Sequence, residues 1–320
     1  MSGTLLSDLS SDLTRIREHA TDLGWLRRKL RYRTAAKLSQ LLYDHDGIDY
    51  VDADWDNMIV LDACRADLFE EVLDVNRFDQ YRTVHSNASL TAEWVKQNFR
   101  NRQHDDTVYV SASPHLSIHA GDAFYDLVEV WKDAFDPGHH TVLPEAVTHA
   151  ALDAYTDDKR LVVHYLQPHQ PYYRSDLWDE MKAELNGDGH HDEANPLREL
   201  SPRPWKALKD GRYSEERFWN AYQQTLRAVF DEVQQLTDRI DGRTVITSDH
   251  GELFGEPVHP RIPEPLYGHP TRGLRVPALT EVPWAVIEDD RRHITAGSIT
   301  ARDRPDADVV EDRLADLGYR

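Results

Sequence analysis

TVITSDHGELFGE, residues 244–256, runs from an apolar stretch straight into Asp249, His250, Gly251 and Glu252. Val245 and Ile246 are β-branched, and a short apolar run bounded by polar residues reads as a strand buried on both faces. Such a strand is rigid, so acids and a histidine at its exit are either a solvated turn or the start of a ligand site. Working outward, SEERFWNAYQQTLRAVFDEVQQLTDRI (214–240) reads as a long amphipathic helix feeding that strand, with Ser214 as its N-cap. RLVVHYLQ (160–167) is a second buried strand, preceded by the helical LPEAVTHAALDAYTDD (143–158). NMIVLDAC (57–64) is a third, followed by the helical ADLFEEVL, and TVYVSAS (107–113) and LVEVW (127–131) look like further strands. Strands alternating with helices predict an α/β fold with a largely parallel central sheet flanked by helices.

Two segments stand apart. Residues 1–50 read as an N-terminal helical segment preceding an α/β domain over 51–320. Within that domain, residues 174–212 are polar and hold several Pro and Gly, as an insertion or lid would. In the first segment, LGWLRRKLRYRTAAKLSQLLY (23–43) spaces its leucines at helical intervals among Arg27, Arg28, Lys29, Arg31, Arg33 and Lys37. The plainest reading is a solvated helix against an acidic body; the alternative is peripheral contact of residues 23–43 with an anionic membrane or a partner.

Charge and composition narrow the class. The formal net charge is −20, and only eight of the 37 Lys plus Arg are lysine. That balance disfavours generic binding to nucleic acid. Excess acid with little lysine suits a halophilic cytoplasm, where a Debye length of roughly 3 Å at 1 M salt screens self-repulsion. A single cysteine, Cys64, excludes an internal disulfide and any multi-cysteine metal site. No run of 18 apolar residues occurs and the N-terminus lacks the order of a signal peptide, so the expected location is cytoplasmic.

In open α/β sheets ligands bind outside the carboxyl ends of the strands. The first strand ends at Asp62, with Arg65 just beyond. The strand at 160–167 leads to His164, Gln167 and His169, and the strand at 244–248 leads to Asp249, His250 and Glu252. A fourth candidate, His269, lies in the loop LYGHPTRG. Singly, each has a bland reading as cap, turn or core residue; together at strand exits they suit a divalent cation. Oxygen ligands favour Mg, Ca or Mn, and imidazole favours Zn.

VLDACRAD, HYLQPHQPY, VITSDHGELFGE and YGHPTRGLRVPALTEVPW, in this order, resemble the alkaline phosphatase and sulfatase superfamily, and in particular its sulfatase-like members from haloarchaea. The resemblance implies that Asp62, Asp249 and His250 hold one metal. It implies that His169 and His269 either bind a second metal or contact the transferred group, with Arg65 helping to stabilise the anion. The nucleophile then belongs at a helix start in VHSNASLTAEWVKQNF (84–99), where Ser89 is the first choice, Thr91 the second and Ser86 the third. A capping role for these hydroxyls is the competing reading.

Two departures matter. Aligned on the Cys-x-Pro-x-Arg signal of sulfatases, Ser89, Thr91 and Glu93 occupy the three defined positions, so the formylglycine signal is absent. Gln167 stands where two-metal phosphatases carry a carboxylate, which leaves the second site unfilled or served by His164. Glu252 reads as a residue behind the ligands or a helix-start acid. The expected activity is metal-dependent hydrolysis of a sulfate or phosphate ester through Ser89 or Thr91, with one metal and few cations tilting toward sulfate or diesters. The competing classes are a catalytically degenerate binding protein, and a phosphotransferase acting on glycan or lipid headgroups.

Overall fold

A computed structural model describes residues 22–43, 45–187, 203–261, 263–299 and 307–317. Its strands are β1 (Asn57–Leu61), β2 (Gln80–His85), β3 (His104–Ser111), β4 (Phe124–Glu129), β5 (Phe135–Asp136), β6 (Thr141–Val142), β7 (Arg160–Tyr165), β8 (Thr244–Thr247), β9 (Leu253–Phe254), β10 (Tyr267–Gly268) and β11 (Glu281–Ile287). Seven of them form one sheet in the order β2-β11-β8-β1-β7-β3-β4, and only β11 runs antiparallel to its neighbours.

The apolar runs are continuous because the central strands are covered on both sides. Every residue of β1 and β8 is buried. Side chains alternate across the pleat. Ile59 and Leu61 join a core with the helices Ala66–Val72, Pro144–Ala154 and Glu215–Thr237, while Met58 and Val60 face the helices Thr91–Asn98 and His115–Ala120. The helix Glu215–Thr237 is capped by Ser214, whose side chain accepts from the Arg217 amide. It buries Phe218, Tyr222, Leu226, Val229, Phe230, Val233 and Leu236 at spacings of three and four. Each such side chain, fully buried, contributes about 1.5–3 kcal/mol.

The strands predicted at 57–64, 107–113, 127–131, 160–167 and 244–248 are present with shifted ends. The first stops at Leu61, so Asp62 stands beyond the ladder, and Ala63 follows in the left-handed region at φ 58°. β2 and β11 are strands the pattern did not announce. β2 is a half-exposed edge, and β11 carries Pro283, which lies outside its ladder with β8 because that ladder begins at Trp284.

The expected N-terminal helices are seen as one helix, Leu23–Leu42; residues before 22 lie outside the described part. The 174–212 segment contributes the helices Asp176–Gly187 and Arg203–Lys209, with 188–202 likewise outside. Among the described residues no helix is long and apolar enough to cross a membrane.

Candidate active site

Adjacent parallel strands β1 and β8 end level with each other, Val60 opposite Thr247. Their exits therefore deliver Asp62 and Asp249 side by side. The amide of Ala63 donates to Asp249 Oδ1 at 3.1 Å and the amide of His250 donates to the same oxygen at 2.9 Å. Asp249 Oδ2 is buried with no hydrogen-bond partner among the described residues and sits 3.3 Å from His250 Nε2. Asp62 Oδ1 lies 3.6 Å from that same nitrogen. His250 Nδ1 is 2.8 Å from the Gly251 carbonyl, which can only accept, so Nδ1 carries the proton. The Nε2 lone pair therefore faces two carboxylates and the Thr91 hydroxyl, a donor set that suits a cation. One ligand atom from each of Asp62, Asp249 and His250 lies within 4.8 Å of the others, and all three residues are fully buried.

A second group adjoins the first. His169, Glu252 and His269 likewise place one ligand atom each within 4.8 Å of one another. The His169 Nδ1 proton goes to the Gln170 carbonyl at 2.6 Å, which leaves Nε2 as that ring's lone-pair atom, and His269 Nδ1 pairs with Glu252 Oε1 at 3.1 Å. Glu252 Oε2 is buried with no hydrogen-bond partner among the described residues. The His269 ring centroid is 4.9 Å from that of His250 and 5.2 Å from that of His169, so the groups share a wall.

Burial pushes the Asp249 and Glu252 carboxyls above their ordinary values, the direction expected when charge is buried without a cation. Burial, with His269 adding to it, pushes His250 and His169 well below theirs, so both imidazoles are neutral and suited to ligation. Buried oxygens with no hydrogen-bond partner, neutral imidazoles and mixed O and N donors together fit two divalent cations. The second set, two histidines and one carboxylate, is a donor set that zinc takes.

The hydroxyl at this site is Thr91. Its Oγ1 is 3.2 Å from His250 Nε2 and 3.4 Å from Asp62 Oδ2, and it sits at the first residue of the helix Thr91–Asn98. Ser89 is turned away: its Oγ is 2.9 Å from Glu93 Oε2, 3.2 Å from the Thr271 carbonyl and accepts from the Leu274 amide at 3.2 Å. Those bonds tie the segment before the helix to the 271–274 loop and hold Ser89 Oγ away from both donor groups; the helix itself is capped at Leu90 without a side-chain bond. Ser86 Oγ is bonded to the Asp249 carbonyl.

Arg65 also departs from expectation. Its guanidinium pairs with Asp67 at 2.6 Å and with Glu256, and donates to the Glu252 carbonyl at 3.1 Å. It buttresses the Glu252 backbone, and its charge is matched by two carboxylates instead of a substrate anion. Gln167 donates to Thr141 Oγ1 and the Val142 carbonyl, away from either group. The carboxylate that stands with His169 and His269 is Glu252, expected from the sequence as a residue behind the ligands or a helix-start acid. His269, expected beside His169 as a ligand or a contact of the transferred group, stands with His169 and Glu252.

His164 lies behind Asp249. Its Nδ1 is 2.9 Å from Tyr109 Oη and its Nε2 is 4.0 Å from Asp249 Oδ2. Burial pushes its pKa down to about 4. A histidine depressed in the folded state gives stability that is present above the unfolded value near 6.5 and is lost as pH falls toward 4. Between those pH values the wild type is expected to lose up to about 3 kcal/mol more than His164→Gln. Denaturant titrations of both proteins in chelator check this, and parallel curves would show that His164 does not titrate there.

Gly251 allows the turn to close. Its amide donates to the Leu279 carbonyl at 2.8 Å, and a Cβ placed here would collide with the Ala278 carbonyl oxygen. Gly251→Ala is expected to destabilise the chain by about 2 kcal/mol or more, read as a lower denaturation midpoint.

A family model described as Sulfatase matches residues 75–284, about two-thirds of the chain. Thr91, His169, Asp249, His250, Glu252 and His269 fall inside that span, and Asp62 precedes it. A search of curated proteins returns no match. Among solved structures, the chain is similar to the C-terminal periplasmic domain of phosphoethanolamine transferase EptC from Campylobacter jejuni, at 16% identity over 72% of this chain and 77% of that one, with a TM-score of 0.45. It is similar to the soluble domain of lipooligosaccharide phosphoethanolamine transferase A from Neisseria meningitidis, at 12% identity over 72% and 75%, TM-score 0.45. A protein in the alkaline phosphatase superfamily from Vibrio parahaemolyticus matches at 12% identity over 90% and 75%, TM-score 0.37.

Proposed function

The chain belongs to the sulfatase family, within the alkaline phosphatase and sulfatase superfamily, and from that premise we propose that it transfers a phosphoryl group from a phosphate ester through Thr91. The observation that carries this reading is the placement of Thr91 Oγ1 against His250 and Asp62 with the second donor group adjoining. Divalent cations held by Asp62, Asp249 and His250, and by His169, Glu252 and His269, would supply the positive charge that lets a hydroxyl ionise and that neutralises the ester oxygens.

The chain's own residues do the rest. Thr91 is fixed at the helix start, where backbone N–H groups favour an anion. Its oxygen attacks phosphorus, the bond to the ester oxygen breaks, and the alcohol leaves after taking a proton. Water or an acceptor alcohol then attacks the phosphothreonine and restores the hydroxyl. Asp249 Oδ1, held by two backbone amides, keeps Oδ2 aimed at the reacting centre. Phosphate is favoured over sulfate on charge: a phosphate monoester carries nearly two negative charges, which matches two cation-binding groups better than one. The absent formylglycine signal, with Ser89, Thr91 and Glu93 at its three positions, supports the same choice.

The test is a parallel assay of aryl phosphate and aryl sulfate with zinc- or manganese-loaded protein, with intact-mass analysis after acid quenching. Phosphate turnover with one phosphoryl group on the Thr91 peptide is expected. Turnover of sulfate alone, or metal bound without any turnover, overturns the reading.

A further inference from the structure

The helix Leu23–Leu42 has six basic residues and no acid in a chain whose net charge is −20. One side of it is spoken for. Tyr32, Ala35 and Leu38 pack on Leu253, Val258, Leu266, Leu274, Val276 and Leu279, and Ala36 and Ser39 are buried with them. Polar bonds fix that seat: the Arg275 amide donates to Ser39 Oγ at 2.8 Å, Gln40 Nε2 to the Gly273 carbonyl at 2.8 Å, and Tyr43 Oη to the Val258 carbonyl at 3.2 Å.

The opposite side carries leucine. Leu23, Leu30 and Leu41 are 68%, 67% and 82% exposed. They are separated by intervals of about two and three helical turns, so all three project along one line over roughly 27 Å. Arg27, Thr34 and Lys37 fall on the same side, also exposed, and Arg33 flanks it. Leucines set singly among bases do not make a core. They do suit the boundary between headgroups and acyl chains, where each leucine enters the apolar layer and the basic heads remain at the phosphates.

We propose that this outer face of Leu23–Leu42 is a docking surface for an anionic lipid bilayer. Charge complementarity selects this occupant. Nucleic acid would accept the bases but offers no apolar layer to the leucines. The net negative charge of the chain is repelled by an anionic surface, so among the described residues this basic face is the one that approaches it, and the repulsion sets the orientation. Because the other side of the helix rests on the 253–279 segment, the docked chain holds His269 and its loop one packing layer behind the lipid-facing helix.

The experiment is vesicle flotation of the full chain with phosphatidylglycerol–phosphatidylcholine vesicles and with pure phosphatidylcholine vesicles, at several salt concentrations. Binding to the anionic vesicles, weakened by salt and absent on the neutral ones, is expected. The variant Arg27→Gln, Arg33→Gln, Lys37→Gln is expected to bind roughly a hundredfold more weakly, about fivefold for each base removed. The variant Leu23→Ser, Leu30→Ser, Leu41→Ser is expected to lose retention at an unchanged melting temperature. No binding to either vesicle, or equal binding to both, overturns the proposal. So does a dimer that the leucine variant converts to monomer without vesicle binding by the wild type, since the face would then join copies of this chain.

Discussion

Thr91→Ala is expected to abolish turnover, by roughly a thousandfold or more in kcat, while leaving metal content and the melting temperature near those of the wild type. Among the described residues the Thr91 hydroxyl makes its contacts within the site, at 3.2 Å from His250 Nε2 and 3.4 Å from Asp62 Oδ2, and the helix cap at Leu90 does not use it. Thr91→Ser keeps an oxygen at the same place and is expected to retain measurable activity and to accumulate the same covalent adduct. Ser89→Ala gives the opposite signature. It removes the bonds to Glu93 and the 271–274 loop, costs about 1 kcal/mol of stability, and leaves kcat within the same order. Steady-state kinetics of the three variants beside thermal melts decide the matter: full activity in Thr91→Ala would remove Thr91 from the chemistry.

Asp249→Asn is expected to lose metal binding at the first group and, with it, the stabilisation that metal gives. A ligand that binds only the folded state at a hundred times its Kd stabilises by about 2.7 kcal/mol. The sign in the absence of metal is the informative part. Burial already holds the Asp249 carboxyl above its ordinary value, so the buried charge opposes folding at neutral pH. Asparagine can still accept both backbone amides through Oδ1, and its amide can donate toward His250 Nε2. The chelated variant is therefore expected to melt no lower than the chelated wild type, and the metal-loaded wild type to melt well above both. Equal metal-dependent shifts in the two proteins would mean that Asp249 is no ligand.

What could be read from the sequence and what could not divides along physical lines. β1, β7 and β8 were legible because strands buried on both faces are apolar throughout. Asp62, Asp249 and His250 were legible because parallel strands in one sheet deliver their exits to one edge. β2 was not, since an edge strand half open to solvent shows little pattern, and β11 was hidden by Pro283. Ser89 and Thr91 lie two residues apart at one helix start, and composition cannot say which hydroxyl turns inward. That depends on the 271–274 loop, nearly two hundred residues away, which claims Ser89. Glu252 stands in irregular backbone after β8, where no periodicity marks a side chain's direction. Its role appears only once His169 and His269 are brought against it.

The level ends of β1 and β8 have a consequence for how such a site can change. Asp62 and Asp249 follow two residues after Val60 and Thr247, the last pair of a ladder that holds its strands about 4.8 Å apart. His269 instead arrives on a loop whose course is held by Ser89, Glu93 and the outer helix. Drift in those loops can reshape or delete the second donor group while the first keeps its bite. One scaffold can thus pass between two-cation and one-cation forms, and between leaving groups, by substitutions that never touch its sheet.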